Sequence, residues 1–194
     1  MPTLYVIAGP NGVGKTTFAD RYLPQTIREL EFVNADLIAR GISPYAPDAV
    51  VMEAGRMAIT RIRHLIAERS SFTWETTMSG RTAVGWLKSA KESGYQIKCY
   101  FLWVRNVQTT LDRIQQRVVE GGHNIEPDVS KRRFYKTLQN FFSVYRSVFT
   151  SWKLMANEGN GVRLIALEKD GRLVVRDRTA FDRISLEAGA DYET

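Results

Sequence analysis

Short runs of apolar residues alternate along the chain with longer segments in which apolar residues recur about every three to four positions. The clearest longer segment opens at Pro47 and carries one apolar face through residue 66, which is typical of an amphipathic helix. Strands that alternate with helices of this length predict right-handed crossovers and a mostly parallel sheet covered on both faces. We expect strands at residues 4–8, 31–34, 71–74, 97–104 and 162–167.

Further helices are predicted over residues 82–93, 107–119 and 179–188, and another from about residue 128 towards residue 156. The aromatic residues of that long segment recur at helical spacing, so we expect them to pack in the core. An Asp-Gly turn and a short apolar run after the last predicted strand indicate a C-terminal β-hairpin. The sequence has no repeat, low-complexity segment or linker, so we expect residues 1–194 to form a single domain.

A complete phosphate-binding pattern follows the first predicted strand. Its glycines allow backbone N–H groups to turn inward and approach phosphate oxygens without a Cβ in the way. Its lysine adds a positive charge, and the hydroxyl of Thr16 is a ligand for Mg²⁺. Because the loop leads into a helix, whose exposed amides favour anions, the sequence predicts binding of ATP or GTP. The pattern comprises Gly9, Pro10, Asn11, Gly12, Val13, Gly14, Lys15 and Thr16, and Thr17 follows it.

The phosphate loop narrows the predicted fold class. A strand, the loop and a helix at the start of an alternating pattern indicate an α/β fold of the P-loop kinase type, a three-layer sandwich with a mostly parallel sheet. In open α/β sheets, ligands bind beyond the carboxyl ends of the strands. Polar residues directly after each predicted strand are therefore candidate site residues.

Asn34 and Asp36 follow the second predicted strand. There a bound acceptor hydroxyl would meet the γ-phosphate held by the first loop, and a carboxylate can accept the hydroxyl proton during phosphoryl transfer. We therefore interpret Asp36 as the general base and Asn34 as a substrate-binding residue. The alternative is that Asp36 caps a helix that begins at Leu37, which is a common use of aspartate.

Glu75, Thr76 and Thr77 leave the sheet after the third predicted strand, on the side of the phosphate loop. Their carboxylate and hydroxyl groups are candidates for binding substrate hydroxyls, and Glu75 is a candidate for holding Mg²⁺ through water. The alternative is that the threonines and the following Ser79-Gly80 form only a turn and a cap.

Arginines form a third candidate group. Charge that develops on a transferred phosphoryl group needs cationic partners, and arginine supplies a planar fork of donors. Arg113 and Arg117 share one helix face, and a Gly-Gly turn would let the next helix bring Arg132 or Arg133 over the nucleotide like a closing lid. A solvated surface role is the alternative for each arginine alone.

Composition limits the class of protein. The net charge of +6 suits phosphorylated ligands as well as nucleic acid, but the arginines lack an interleaved aromatic platform, so nucleic acid is the less favoured partner. The single cysteine, Cys99, lies in an apolar run and indicates a buried thiol in a reducing compartment. Apolar runs stay well below the ~20 residues that span a bilayer, so we expect no membrane association and a cytoplasmic location.

Taken together, the motifs resemble the zeta toxin family, in its compact chromosomal branch. Five blocks carry the resemblance, in matching order and approximate spacing, over residues 4 to about 158. They are the phosphate loop, Val33-Asn34-Ala35-Asp36, Glu75-Thr76-Thr77-Met78-Ser79-Gly80, Arg117 with Gly121-Gly122-His123, and Arg132-Arg133-Phe134.

The resemblance implies an ATP-dependent kinase. Lys15 and Thr16 would serve the nucleotide and Mg²⁺, Asp36 would be the base, and Arg117 with Arg132 or Arg133 would contact the phosphates. The block that begins at Glu75 would bind the acceptor, a hydroxyl of a nucleotide sugar such as UDP-N-acetylglucosamine or of a related metabolite. The resemblance also implies the toxin of a toxin–antitoxin pair, with a small antitoxin protein as partner.

Two other functions fit the residues less well. A nucleotide-dependent regulator without an acceptor would leave the acidic and hydroxyl residues after the second and third strands unused, and the chain has no Asn-Lys-x-Asp guanine-reading motif. A nucleic-acid end kinase would bind oligonucleotides with an affinity that falls steeply with salt. The small-molecule kinase remains the leading interpretation.

Overall fold

A computed structural model describes residues 1–119, 126–159 and 161–190, without the side chains of residues 117–119. These ranges contain a seven-stranded sheet. Its strands are β1 Thr3–Ala8, β2 Glu31–Val33, β3 Phe72–Thr76, β4 Gln96–Trp103, β5 Ser151–Glu158, β6 Gly161–Lys169 and β7 Arg172–Val175. The main helices are α1 Lys15–Tyr22, α2 Gln25–Arg28, α3 Ala35–Ile42, α4 Val51–Ala67, α5 Ala83–Glu92, α6 Val107–Val119, α7 Pro127–Asn140 and α8 Arg178–Glu187.

The strand order is β2-β3-β1-β4-β5-β6-β7. Strands β1 to β5 run parallel, whereas β6 and β7 extend the sheet with antiparallel pairs. In the register, Ala8 at the end of β1 lies beside Thr76 of β3 and Phe101 of β4. The carboxyl ends of β1 and β3 therefore lie side by side. This confirms the α/β fold of the P-loop kinase type with its mostly parallel sheet.

The predicted helix from residue 128 towards residue 156 is wrong beyond Val148, where the last helical turn ends. Helix α7 ends at Asn140, a π-helical turn covers Phe141–Tyr145, and β5 begins at Ser151. In β5 the buried residues alternate, because Trp152, Leu154 and Ala156 face the core while their neighbours are more exposed. This period of two is the strand signal. It was hidden because the aromatic residues before it recur at helical spacing.

The C-terminal hairpin is confirmed. Strands β6 and β7 pair around Asp170 and Gly171, whose φ angles of 52° and 73° lie in the left-handed region that a tight two-residue hairpin turn requires. Strand β7 lies at one edge of the sheet. Within the ranges described, no helix is both long and apolar enough to cross a bilayer.

The core on the α7 side of the sheet is aromatic, as the spacing predicts. Phe141 of the π-helical turn packs on Phe101 of β4, with ring centroids 4.2 Å apart, and meets Trp152 of β5 edge-on at 5.4 Å. All three side chains are buried. Burial also raises the pKa of the Cys99 thiol well above its ordinary value, which agrees with the expected buried thiol.

Candidate active site

The phosphate loop connects β1 to α1, and it packs against α6 and β5. Gly12 has a φ of 74°, and a Cβ built on it would lie 2.4 Å from the backbone carbonyl oxygen of Thr110 in α6. Gly14 has a φ of 88°, and its Cβ would lie 2.5 Å from the side-chain nitrogen of Asn157 in β5. Both positions therefore require glycine, for conformation and for space.

Lys15 is the first residue of α1 and is 8% exposed. Its Nζ donates a hydrogen bond to the carbonyl oxygen of Pro10 at 3.1 Å, so the ammonium group lies over the loop. The residue before it, Gly14, offers no side-chain cap to the first amides of the helix. A helix start without a side-chain cap and with a buried ammonium group has the chemistry to bind anionic phosphate groups.

Thr16 and Glu75 connect α1 to the end of β3. The Thr16 hydroxyl donates to Oε2 of Glu75 at 2.9 Å. A hydroxyl that donates its proton to a carboxylate keeps its oxygen lone pairs for another partner. Hydroxyl and carboxylate oxygens are ligands that Mg²⁺ prefers, so these two residues fit a magnesium ion bound together with phosphates.

Glu75 has a raised pKa. Burial is the largest cause, because desolvation disfavours the charged carboxylate, and the negative charge of Asp36 adds to it. Lys15, the Thr16 hydroxyl and a hydrogen bond from Asn34 act in the opposite direction. These five side chains therefore form one electrostatic cluster at the adjoining ends of β1, β2 and β3.

Asn34, rather than Asp36, caps α3. Its Oδ1 accepts hydrogen bonds from the backbone N–H groups of Asp36 at 2.8 Å and Leu37 at 3.2 Å. The alternative in which Asp36 caps a helix beginning at Leu37 is wrong, because α3 begins one residue before Asp36. Asp36 lies in the first turn of the helix with an exposed side chain. Its carboxylate is therefore not used as the cap.

Three cavities lie along this end of the sheet. The first, of about 400 Å³, is bordered by the phosphate loop, α3, α6 and the start of α4. The second, of about 220 Å³, lies between β3, α3 and α4. Lys15, Asn34, Asp36 and Glu75 line both. The four predicted site residues therefore stand where the first cavity meets the second.

Thr76 and Thr77 form a turn and also line two of the cavities. Their hydroxyls make local turn contacts, with Thr76 Oγ1 accepting from the Met78 amide at 3.2 Å and Thr77 Oγ1 lying 3.0 Å from the Ser79 hydroxyl. Both residues also line the second cavity and a third one of about 100 Å³ beside it. The turn thus forms a cavity wall.

The structure brings only part of the arginine group to the loop. Arg113 lines the first cavity, and its Nη1 donates to the carbonyl oxygen of Gly12 at 3.4 Å. Arg132 and Arg133 are exposed on α7 and are not among the residues that line the three cavities. The side chain of Arg117 and the Gly121-Gly122-His123 block lie outside the described residues.

Several residues near the site are not evident from the sequence. Asn157 of β5 donates to the carbonyl oxygen of Val13 at 2.7 Å and so braces the phosphate loop from a position 144 residues away. Its only sequence signal is its place in the alternating run that forms β5. Trp74, Trp86 and Gly55 line the second or third cavity, although their apolar character marks them in the sequence simply as packing residues.

The fold recurs in solved structures of other proteins. A chain of the AvrRxo1-ORF1:AvrRxo1-ORF2 complex with sulphate ions superposes with a TM-score of 0.78 and 17% identity, covering 95% of this chain and 64% of that one. A chain of the same complex with ATP gives a TM-score of 0.77 and 16% identity, covering 100% and 66%. This chain thus spans about two thirds of the length of those chains.

A chain of the PezAT chromosomal toxin–antitoxin system of Streptococcus pneumoniae has a TM-score of 0.67 and 12% identity, with 100% of this chain and 81% of that one covered. This likeness confirms the resemblance to zeta toxins at the level of the fold. An uncharacterised protein of Haemophilus influenzae is 34% identical over 126 residues, which are 65% of this chain and 88% of that protein. The model of the AAA domain family (AAA_33) matches residues 4–142, and the chain therefore belongs to this family of P-loop, kinase-like domains.

Proposed function

We propose that this protein is a kinase that transfers the γ-phosphoryl group of ATP, or of GTP, to a hydroxyl of a small molecule. One observation carries the proposal: Lys15, Asp36 and Glu75 stand at the junction of a cavity beside the phosphate loop and a second, smaller cavity. A kinase needs such an arrangement, with phosphates on one side and an acceptor on the other. The ATP present in the structurally similar AvrRxo1 complex supports the choice of nucleotide.

The first cavity would hold the nucleotide. Its volume of about 400 Å³ falls within the range of about 300–1,000 Å³ typical of small-molecule sites. The loop amides and Lys15 would bind the phosphates, and Arg113 would lie beside them. Thr16 and Glu75 would hold Mg²⁺, which neutralises charge on the transferred group when it is bound.

The second cavity would hold the acceptor hydroxyl. As the acceptor oxygen forms its bond to the γ-phosphorus, the bond between that phosphorus and the bridging oxygen breaks, and the nucleoside diphosphate leaves with the bonding electrons. The Asp36 carboxylate accepts the proton that the hydroxyl loses. Asp36 suits this task because it lines both cavities and does not serve as the cap of α3.

The resemblance to zeta toxins supports a toxin that acts on a nucleotide sugar such as UDP-N-acetylglucosamine, or on a related metabolite, and that is neutralised by a small antitoxin protein. In the phosphoryl-transfer step Arg117, Arg132 and Arg133 would contact the phosphates after closure over the nucleotide. Asn34 would hold Glu75 in place beneath the acceptor, and Thr76 and Thr77 would line its binding cavity.

The variant Asp36→Asn tests the proposal. It should lower the rate of phosphoryl transfer by about 100-fold or more, as for loss of a general base, while the Kd for Mg-ATP changes by only a few-fold. Transfer is measured with γ-labelled ATP and an extract of cell metabolites, and binding by calorimetry. Asp20→Asn, at an exposed carboxylate of α1 that borders none of the three cavities, is the control. Equal loss of transfer and binding would count against the assigned base.

A further inference from the structure

The third cavity continues the second one away from the phosphate loop. The two cavities share Ile59, Trp74, Thr76 and Thr77. A ligand whose hydroxyl lies at Asp36 in the second cavity therefore has its distal part directed towards the third. The remaining walls of the third cavity are Met78, Ser79, Gly80, Thr82, Ala83, Trp86 and Tyr145.

The third cavity has no charged side chain among the described residues that line it. In the second cavity Lys15 is the one cation among the described lining residues, and it stands with Asp36 and Glu75 at the boundary with the first. Among the described residues that line the two cavities beyond that boundary, a phosphate or diphosphate group would find no arginine and no lysine other than Lys15. Burying such a charge without partners is costly.

Two indole rings give the third cavity an aromatic wall. Trp74 of β3 and Trp86 of α5 meet edge to face, with ring centroids 4.9 Å apart and planes at 60°. Both side chains are partly exposed, so each keeps surface that a ligand can cover. Aromatic walls with a few hydroxyl groups are typical of sites that bind a ring and fix its orientation.

The wall of the third cavity is held from α7 and the π-helical turn. Buried Asn140 donates from Nδ2 to the carbonyl oxygens of Met78 and Ser79, both at 2.9 Å. The Tyr145 hydroxyl donates to the carbonyl oxygen of Gly80 at 2.8 Å. The segment after β3 is thus fixed by hydrogen bonds, and the cavity exists before a ligand binds.

The volumes of the second and third cavities also favour an acceptor without a nucleotide. The second and third cavities, of about 220 and 100 Å³, together lie only at the lower end of the range of about 300–1,000 Å³ that is typical of small-molecule sites. An apolar cavity of about 150 Å³ accepts a single benzene ring. The space beyond Asp36 therefore suits one ring with a short arm better than a nucleoside diphosphate sugar.

We infer that the acceptor is a neutral, ring-containing alcohol whose ring lies against Trp74 and Trp86 while its hydroxyl reaches Asp36. The inference rests on the proposed kinase function and names its substrate class. It differs from the nucleotide sugar that the zeta-toxin resemblance implies, because it places no phosphate on the acceptor.

Fractionated metabolites test the inference. Cell metabolites are passed at pH 7 over an anion exchanger and then over a cation exchanger, which separates them into an anionic, a cationic and an unbound, neutral fraction. Each fraction is incubated with the protein, Mg²⁺ and γ-labelled ATP, and we expect label to enter a compound of the neutral fraction. Label mainly in anionic or cationic compounds would overturn the inference and leave the kinase standing. Label in none of the fractions, with ATP bound, would overturn the proposed function and the inference together.

The variant Gly55→Leu tests the location. Gly55 lines the second cavity from α4, and a Cβ there meets no atom within 4 Å, so leucine would fill the cavity without a backbone clash. Gly85→Leu is the matched control, because Gly85 in α5 is equally free of neighbours and borders none of the three cavities. We expect KM for the neutral acceptor to rise at least tenfold in Gly55→Leu alone, with the Kd for ATP unchanged in both variants.

Replacing one indole gives an independent measurement. Trp74→Phe keeps an aromatic ring but removes the second ring of the indole, so KM for the labelled acceptor should rise several-fold while kcat changes less. If neither Gly55→Leu nor Trp74→Phe alters KM, the acceptor does not occupy these cavities and the inference is wrong.

Discussion

At the scale of one residue, the surroundings of Glu75 have opposing effects on the charge of its carboxyl group. Burial disfavours its charge, whereas Lys15, Thr16 and Asn34 stabilise it, and the net effect is a raised pKa. A glutamate exposed to water would avoid the free-energy cost of burying its charge. The proposed function accounts for the place of Glu75 beside Thr16, because the pair would supply oxygen ligands for Mg²⁺ next to the phosphate loop.

The raised pKa predicts a pH dependence of stability. Between the ordinary value of 4.5 and the raised value, the folded protein binds more protons at Glu75 than the unfolded chain does. The free energy of unfolding therefore falls as the pH rises through this window. In Glu75→Gln, which has no titrating group there, this fall should be smaller than in the wild type.

Urea unfolding at a series of pH values between 4 and 8 measures this effect. Glu29→Gln, at an exposed glutamate of the α2 end, serves as the control and should keep the wild-type profile. Identical pH profiles for Glu75→Gln and the wild type would show that the site does not hold this carboxyl group as described.

At the scale of elements, the shape of the phosphate loop depends on the packing of α6 and β5 against it. Helix α6 places the backbone of Thr110 against Gly12, and β5 places Asn157 against Gly14 and the carbonyl oxygen of Val13. The two elements are far apart in sequence from the loop that they hold. Loop geometry is thus set by tertiary packing as well as by glycine.

Two glycines with nearly the same φ allow the stability cost of a steric clash to be measured apart from the cost of backbone strain. Gly12 has a φ of 74° and Gly171 a φ of 73°, but only the first has a neighbouring atom within 4 Å of an added Cβ. Gly171→Ala should lower the free energy of unfolding by about 1–2 kcal/mol, the cost of a left-handed alanine. Gly12→Ala should cost about 1–3 kcal/mol more, because the loop or α6 must move.

Chemical denaturation of both variants checks this difference, and Mg-ATP binding should be lost in Gly12→Ala only. Similar losses of stability in the two variants, with ATP binding retained in both, would refute the close packing of the loop against α6.

At the scale of the whole molecule, the sequence predicts those features that depend on local patterns. Strand β1, the phosphate loop and the C-terminal hairpin follow from apolar runs, glycine spacing and an Asp-Gly turn. Strand β5 was missed because its alternating residues come directly after an aromatic run at helical spacing. The helical spacing of the aromatic residues therefore obscures the change to a two-residue period in β5.

Contacts between distant segments are the part that local patterns do not reveal. Asn157 bonds the loop across 144 residues, and Asn140 bonds the segment after β3 across 62. Trp74 and Trp86 have the character of core residues, and only the assembled sheet shows that they border a cavity. Asp36 and Glu75, by contrast, can be selected from the sequence as candidates, because Asp36 comes shortly after the end of β2 and Glu75 lies near the end of β3.

The central claim is that the loop at the end of β1 binds the phosphates of a nucleoside triphosphate. Calorimetric titration of the protein with Mg-ATP and Mg-GTP tests it most directly, with Lys15→Met as the variant and Lys88→Met, at an exposed lysine of α5, as the control. We expect the wild type and Lys88→Met to bind at least one nucleotide equally well. Lys15→Met should bind about 10- to 100-fold more weakly, as for loss of a charge-assisted hydrogen bond of about 1.5–3 kcal/mol. Absence of binding by the wild type, or equal binding by Lys15→Met, would contradict the account.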